Sequence, residues 1–395
     1  MSAKASRQPH AIAASCVFDG AVAHRNAAVV IADDRIESVV PHAELPSCLP
    51  MSELPRGVWL APGFIDLQVN GGGDALFNDA PTPETIRRII AAHRRFGTTA
   101  LLPTLISDTS AKMKSAVAAV EMLGGKEPGV LGIHLEGPFL CPEKAGVHAP
   151  RHIRHPTASD LDLITAHRPG VTLVTLAPEQ VPLDFIAKLT RAGVRVALGH
   201  SMATYEQTCD AIAAGLTGFT HLFNAMRGLE SREPGPIGAA LDCADAFYGL
   251  IVDGVHVAPA MLRLALRGRG RPILVTDAMP PVGGTHASFT LNGDKISVRE
   301  GRCMRQDGRL AGSCLDMASA VRNCVRLLGV SLTDALRFAS THPAEFLGLD
   351  GKLGRLAPGF RADMVAIDCE TVEVRHTWVA GERDFADGTR RAYRA

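Results

Sequence analysis

The chain carries no excess charge: its 41 Lys and Arg are balanced by 41 Asp and Glu in 395 residues. A nucleic-acid binder leaves a basic footprint, and none is present. Aromatics are scarce, with two Trp and three Tyr, so no ladder of rings is available for stacking bases. No apolar run approaches the roughly 18 residues that read as a membrane-spanning helix. The opening MSAKASRQPH leads into no apolar stretch of the kind a secretory signal needs. The nine cysteines, at 16, 48, 141, 209, 243, 303, 314, 324 and 369, are odd in number and never spaced C-x-x-C. That argues against a zinc ribbon and a disulfide framework and for a reducing, cytoplasmic setting. Neither nucleic acid nor membrane is expected as a partner.

What is there is ordinary globular composition, 46% hydrophobic and 21% charged, arranged in a regular alternation. Short β-rich runs occur at 64–69, 98–104, 129–136, 171–177, 194–200, 218–223, 248–255 and 272–277. Helix-like segments lie between most of them, at 83–96, 110–123, 158–167, 183–192, 203–214 and 258–268. Thr82 before Pro83 reads as an N-cap with proline at the first helical position. The weakest crossover is 225–247, rich in Gly and Pro. Eight strands alternating with helices predict an α/β fold, a TIM-like (β/α)8 barrel. A Rossmann sheet fares worse, because no G-x-G-x-x-G follows the first strand. Both ends are β-rich without a convincing helix, which predicts a small β-sandwich domain built from both termini. The division expected is 1–60 plus 357–395 for that domain and 61–356 for the barrel. Asn292-Gly293 predicts a β-hairpin insertion within 280–312. Helices resume at 313–329 and 332–340.

Catalytic groups of such barrels gather at the C-terminal ends of the strands. There the sequence offers Asp66, Gln68 and Asn70, then His134 and Glu136, then His200, His221 with Asn224, Asp253 with His256, and Asp277. Period-two alternation turns Asp66, Gln68 and Asn70 inward, and likewise His134 and Glu136. Glu136, His200 and His221 form a metal set: Zn²⁺ accepts two imidazoles and a carboxylate and keeps a position open for water. Asp277 stands across the barrel mouth, placed to take a proton from water and return it to a leaving group. The competing reading of the three is a buried polar cluster, which pays the cost of burying a carboxylate without that compensation. His134 reads as a hydrogen-bonded core residue. The Gly71-Gly72-Gly73 run reads as a tight loop. Cys141, five residues after Glu136, could offer a thiolate but reads as a loop cysteine without a role.

The motifs PGFIDLQVNGGG (62–73), HLEGPFL (134–140), KAGVHAP (144–150), GHSMAT (199–204), THLFNAM (220–226), SREPG (231–235), DGVH (253–256), TDAM (276–279) and LAGS (310–313) resemble the N-acetylglucosamine-6-phosphate deacetylase family, a branch of the amidohydrolase superfamily. The resemblance covers about residues 57–360. It implies removal of acetate from N-acetyl-D-glucosamine 6-phosphate, with the galacto epimer, another N-acyl sugar, or a non-catalytic sugar-phosphate-binding barrel as alternatives. It implies metal ligation by Glu136, His200 and His221, acid–base catalysis by Asp277, and His148 at the acetyl carbonyl. It further implies substrate contacts from Gln68, Asn224, Ala225, His256 and the LAGS residues Ala311, Gly312 and Ser313. Arg232 would reach the phosphate in the neighbouring subunit of a homodimer.

Many amidohydrolases carry H-x-H at the end of strand one, where this chain has Gln68-Val69-Asn70. Amides are poor zinc ligands, so one divalent ion per subunit is expected. Zn²⁺ comes first, with Fe²⁺, Co²⁺ and Mn²⁺ able to use the same donors.

Overall fold

The computed structural model describes residues 8–386. Its centre is a run of eight parallel strands, numbered here β1 (Phe64–Val69), β2 (Thr98–Ile106), β3 (Gly132–Glu136), β4 (Val171–Leu176), β5 (Arg195–Leu198), β6 (Gly218–Phe219), β7 (Phe247–Leu250) and β8 (Arg271–Leu274). Each pairs with the next in chain order. The ring closes without a regular ladder between β8 and β1. Instead Val69 bridges Ala278, and the amides of Asn70 and Gly71 both donate to the Ala278 carbonyl at 2.9 Å.

Strands covered on both faces read as near-continuous apolar runs, and β2, TTALLPTLI, is buried at all nine positions. The intervening helices start where the side chains allow it. Pro83–Arg94 is capped by Thr82, whose hydroxyl accepts the Thr85 amide, and Tyr205–Ala213 opens on a Thr204/Gln207 capping box. Such caps contribute about 1 kcal/mol each. Ile86, Ile89 and Ile90 then face the barrel and join one core with Phe64, Leu101 and Ile133. Fully burying each such side chain stabilises by about 1.5–3 kcal/mol.

The structure departs from the expected boundaries in an instructive way. β6 stops at Phe219 rather than running to 223, because His221, Phe223 and Ala225 all take positive φ, which no strand can hold. β7 and β8 likewise end early, at Leu250 and Leu274. The Gly/Pro-rich crossover does contain a helix, Gly235–Asp242, and Thr341–Leu347 is a further helix that the sequence pattern did not separate. The insertion is larger than one hairpin. Ser288–Leu291 and Asp294–Arg299 pair around Asn292 and Gly293, both at positive φ, and Arg302–Met304 and Leu310–Ser313 extend the sheet to four antiparallel strands. Gly301 and Gly308, at φ +73° and +82°, permit the extra reversals.

Both ends of the described chain meet in one mixed sheet of eight strands. Its order runs Glu382–Ala386, Val374–Val379, Met364–Asp368, Val58–Pro62, His10–Phe18, Ala23–Ala32 and Arg35–Pro41, with Met51–Glu53 also on His10–Phe18. It has its own core of Ile12, Val29, Leu60, Met364 and Trp378. Val58–Pro62 passes through Gly63 straight into β1, so this sheet anchors the first barrel strand. No helix among the described residues is long and apolar enough to cross a membrane.

Candidate metal centre and active site

Polar residues of the strand ends meet one another across the barrel, Gln68 on Glu136 and Asp277 and Asn70 on Asp277. Asp66, Gln68, Asn70, His134 and Glu136 are all buried, while Ile65, Leu67, Val69, Ile133 and Leu135 belong to the apolar core. His134 is a core histidine: its Nδ1 meets Thr104 Oγ1 at 3.2 Å and its Nε2 meets Thr175 Oγ1 at 2.7 Å. Burial pulls it down to about 4, so it stays neutral.

Three ligand atoms cluster around Glu136. Its Oε1 lies 3.3 Å from His200 Nε2 and 3.0 Å from His221 Nε2, and the two imidazole nitrogens are 3.1 Å apart. Two ligands held about 2.0–2.1 Å from a tetrahedral zinc are separated by about 3.3 Å, so the spacing suits a divalent ion. The tautomer of His200 agrees. Its Nδ1 lies 2.7 Å from the Lys144 carbonyl, which can only accept, so Nδ1 carries the proton and the Nε2 lone pair faces Glu136. The Glu136 carboxyl is penalised by burial, yet its close pairing with His200 and His221 holds it well below the usual carboxylate range. His221 is likewise penalised by burial and raised by its bond to Glu136. Both histidines and Asp277 adopt left-handed backbone, at φ +50°, +32° and +50°. Such conformations persist only where the surroundings hold them, and they cluster at functional sites.

His148 also approaches: one ligand atom each from Glu136, His148 and His200 fits within 4.8 Å. Its hydrogen bonds give it a different part. The Ser107 amide must donate, and it reaches His148 Nδ1 at 3.1 Å, with Ser107 Oγ at 2.8 Å. Burial, then the neighbouring His200, push His148 down to about 3, so the ring is neutral and its proton sits on Nε2. That Nε2 is buried, has no hydrogen-bond partner, and lies 3.9 Å from Glu136 Oε2. A buried N–H aimed into a site without an acceptor is a poor ligand and a ready donor to a ligand's oxygen. His221, whose Nε2 touches both Glu136 and His200, completes the set better.

Asp277 is tied to the same cluster through amides. Gln68 Nε2 donates to Glu136 Oε1 at 3.0 Å and to Asp277 Oδ1 at 3.2 Å, and Asn70 Nδ2 donates to Asp277 Oδ1 at 2.6 Å. Burial, then the charge of Glu136, push the Asp277 carboxyl up to about 6. The two amides thus turn their N–H groups, rather than ligand lone pairs, towards the carboxylates.

The remaining expected positions lie on the segments that follow the strands, with Arg232 apart from the rest. Asn224 follows His221 in the same turn and donates to its carbonyl at 3.1 Å, while the Ala225 carbonyl accepts the Ser201 amide. His256 is oriented by Asp253 Oδ2, 2.6 Å from its Nδ1. Ala311, Gly312 and Ser313 are drawn to the end of β8: Ser313 N donates to the Asp277 carbonyl at 3.0 Å and Ser313 Oγ to that of Thr276 at 2.5 Å. Arg232 is exposed on the loop between Met226 and Gly235 and is not brought to the metal set. Cys141 is buried, and its amide donates to the His200 carbonyl at 2.9 Å. Ser107, the Lys144 carbonyl and Glu179, which accepts from Ser201 Oγ and the Met202 amide behind His200, have no local sequence signal. They support the site across gaps of 22 to 56 residues.

A metal-binding His/Glu group at the mouth of a parallel barrel, with a buried carboxyl beside it, defines a barrel hydrolase. The chain belongs to the amidohydrolase family, which it matches over residues 59–386. Within that family it groups with the N-acetylhexosamine-6-phosphate deacetylases. It is 46% identical to N-acetylgalactosamine-6-phosphate deacetylase from Shewanella sp. (strain ANA-3) over 327 residues, 82% of each chain. N-acetylglucosamine-6-phosphate deacetylase from Pasteurella multocida superposes with a TM-score of 0.92 at 34% identity, covering 96% of this chain and 100% of that one. A mutant of the N-acetyl-D-glucosamine-6-phosphate deacetylase from Mycobacterium smegmatis, in complex with N-acetyl-D-glucosamine 6-phosphate, superposes at 0.88, with 34% identity and coverage of 96% and 100%.

Proposed function

We propose that this enzyme hydrolyses the acetamide of N-acetyl-D-glucosamine 6-phosphate to D-glucosamine 6-phosphate and acetate. The observation that carries this reading is the Gln68 bridge, which holds the acid–base candidate Asp277 and the metal-binding Glu136 on one amide. Glu136, His200 and His221 would hold a divalent cation, which would supply Lewis acidity and make water easier to deprotonate near neutrality.

The protein's own groups divide the remaining work. Asp277 takes the proton of the attacking water and delivers it to the departing amine. Its elevated pKa suits both halves of that transfer near neutrality. The free Nε2–H of His148 donates to the carbonyl oxygen as negative charge develops there. Asn224, Ala225, His256 and the Ala311–Ser313 strand line the approach and hold the sugar. The exposed Arg232 acts in a homodimer, clamping the phosphate bound by the partner subunit through its bidentate fork. The nine free cysteines suit a cytoplasmic enzyme.

A second reading has its own support. The 46% identity to the Shewanella enzyme favours N-acetyl-D-galactosamine 6-phosphate, the C4 epimer, in the same site. Acetate release from both epimers, with and without the 6-phosphate, decides between them. The higher kcat/KM identifies the substrate, and no release from either phosphorylated sugar overturns the proposal.

A further inference from the structure

Asp66 is a buried carboxylate that the chemistry above leaves unused. It lies at the barrel seam, where β8 and β1 share no regular ladder. Its Oδ2 accepts the Thr276 hydroxyl at 2.6 Å, and its Oδ1 accepts the amides of Thr276 at 3.3 Å and Gln68 at 3.2 Å. The Thr276 hydroxyl oxygen in turn accepts the Ala278 amide at 3.2 Å. Asp277 therefore sits between two residues tied to Asp66, Thr276 directly through its amide and hydroxyl and Ala278 through that hydroxyl. The chain needs such a tie, because Asp277 is held at φ +50°. The strand-one side of the same carboxylate fixes the Gln68 amide, whose side chain reaches Asp277 from across the seam.

We infer that Asp66 and Thr276 are positioning residues for Asp277. Through the Thr276 hydroxyl, Asp66 does the work of the missing ladder and fixes where the Asp277 carboxyl points, without touching substrate or metal. The inference rests on the assignment of Asp277 as acid–base. Misplacement by about 1 Å in an active site can cost on the order of 100-fold in rate, and the effect belongs in the chemical step rather than in binding.

Thr276→Val removes the hydroxyl at nearly constant shape, and Thr276→Ser keeps it. The expected result for Thr276→Val is a fall in kcat of about 10- to 100-fold, with KM and metal content near those of the parent, a lowered melting temperature because Asp66 and the Ala278 amide lose their partner, and recovery of most of kcat in Thr276→Ser. In an Asp277→Asn background the same valine should cost nothing further, since both changes act through one group. Parental kcat in Thr276→Val overturns the inference. So does a fall accompanied by loss of metal or raised KM, which marks a general structural role, or a loss that persists undiminished in the double variant. Asp277→Asn alone separates the two levels. If that single variant keeps its turnover, the acid–base assignment fails and this inference falls with it. If it loses turnover while Thr276→Val does not, only the inference fails.

Discussion

Asn70, just past β1, and Asp277, beyond β8, share a hydrogen bond of 2.6 Å across the barrel seam, with the amide donating. An amide donor stabilises the charged form of a carboxyl and so opposes the upward push of burial on Asp277. Asn70→Leu removes that donor. The acid limb of kcat/KM should move to higher pH, because Asp277 must be ionised to accept a proton and now protonates more easily. An unchanged pH profile would remove Asn70 from the account.

Asp277→Asn should keep its metal and bind substrate but lose about 10²- to 10⁴-fold in kcat. In the parent enzyme, activity should fall as pH drops through about 6, where burial and the charge of Glu136 place this carboxyl. A bound cation favours the ionised form and moves the limb lower, never higher. The acid limb should be absent from the residual activity of the variant. Near-normal turnover in Asp277→Asn would take the residue out of the mechanism.

His148→Phe keeps a ring in the slot but removes the unpartnered Nε2–H. Loss of one such donor to a developing oxyanion costs about 10²- to 10³-fold in kcat, and metal content should stay at the parental level. If His148 were instead a metal ligand, elemental analysis of the variant would show the ion gone.

Elemental analysis of the dialysed parent should find one equivalent of divalent metal per subunit, lost in Glu136→Gln and His200→Ala. Gln68 and Asn70 both point N–H donors at carboxylates, leaving no imidazole on β1 for a second ion. Two retained equivalents would contradict this stoichiometry.

Arg232→Ala should raise KM for the 6-phosphate substrate about 30-fold or more, since losing one side of a charge pair that the partner subunit closes over costs about 2–5 kcal/mol. Activity on the unphosphorylated sugar should hardly change. If the arginine acts across an interface, mixing Arg232→Ala with Asp277→Asn subunits should regenerate sites with both residues intact. Verified subunit exchange without any recovery would show that it does not act in trans.

The barrel was legible because its strands announce themselves as short apolar runs that end in ionisable groups. The convergence of Glu136, His200 and His221 follows from where those runs end. The ends themselves were misjudged for a physical reason. His221 and Asp277 take left-handed backbone just past the last paired residues, so β6 and β8 stop before the functional groups appear. Asp66 was legible only as an inward-facing carboxylate at a strand end, and the parts of Ser107, Lys144 and Thr276 were not legible. Each depends on contacts between distant segments, 37 residues apart for Ser313 on Thr276 and 210 for Thr276 on Asp66, and no local pattern encodes them.

The central claim is that water adds to the acetamide carbonyl at the centre built by Glu136, His200, His221 and Asp277. Turnover of N-acetyl-D-glucosamine 6-phosphate in ¹⁸O-labelled water, followed by mass spectrometry of both products, tests it most directly. The account predicts acetate carrying one labelled oxygen, amino-sugar phosphate in equal amount, and both products formed about 10²- to 10⁴-fold more slowly with Asp277→Asn. Absence of acetate with the metal-replete parent, or acetate formed without the label, would contradict it.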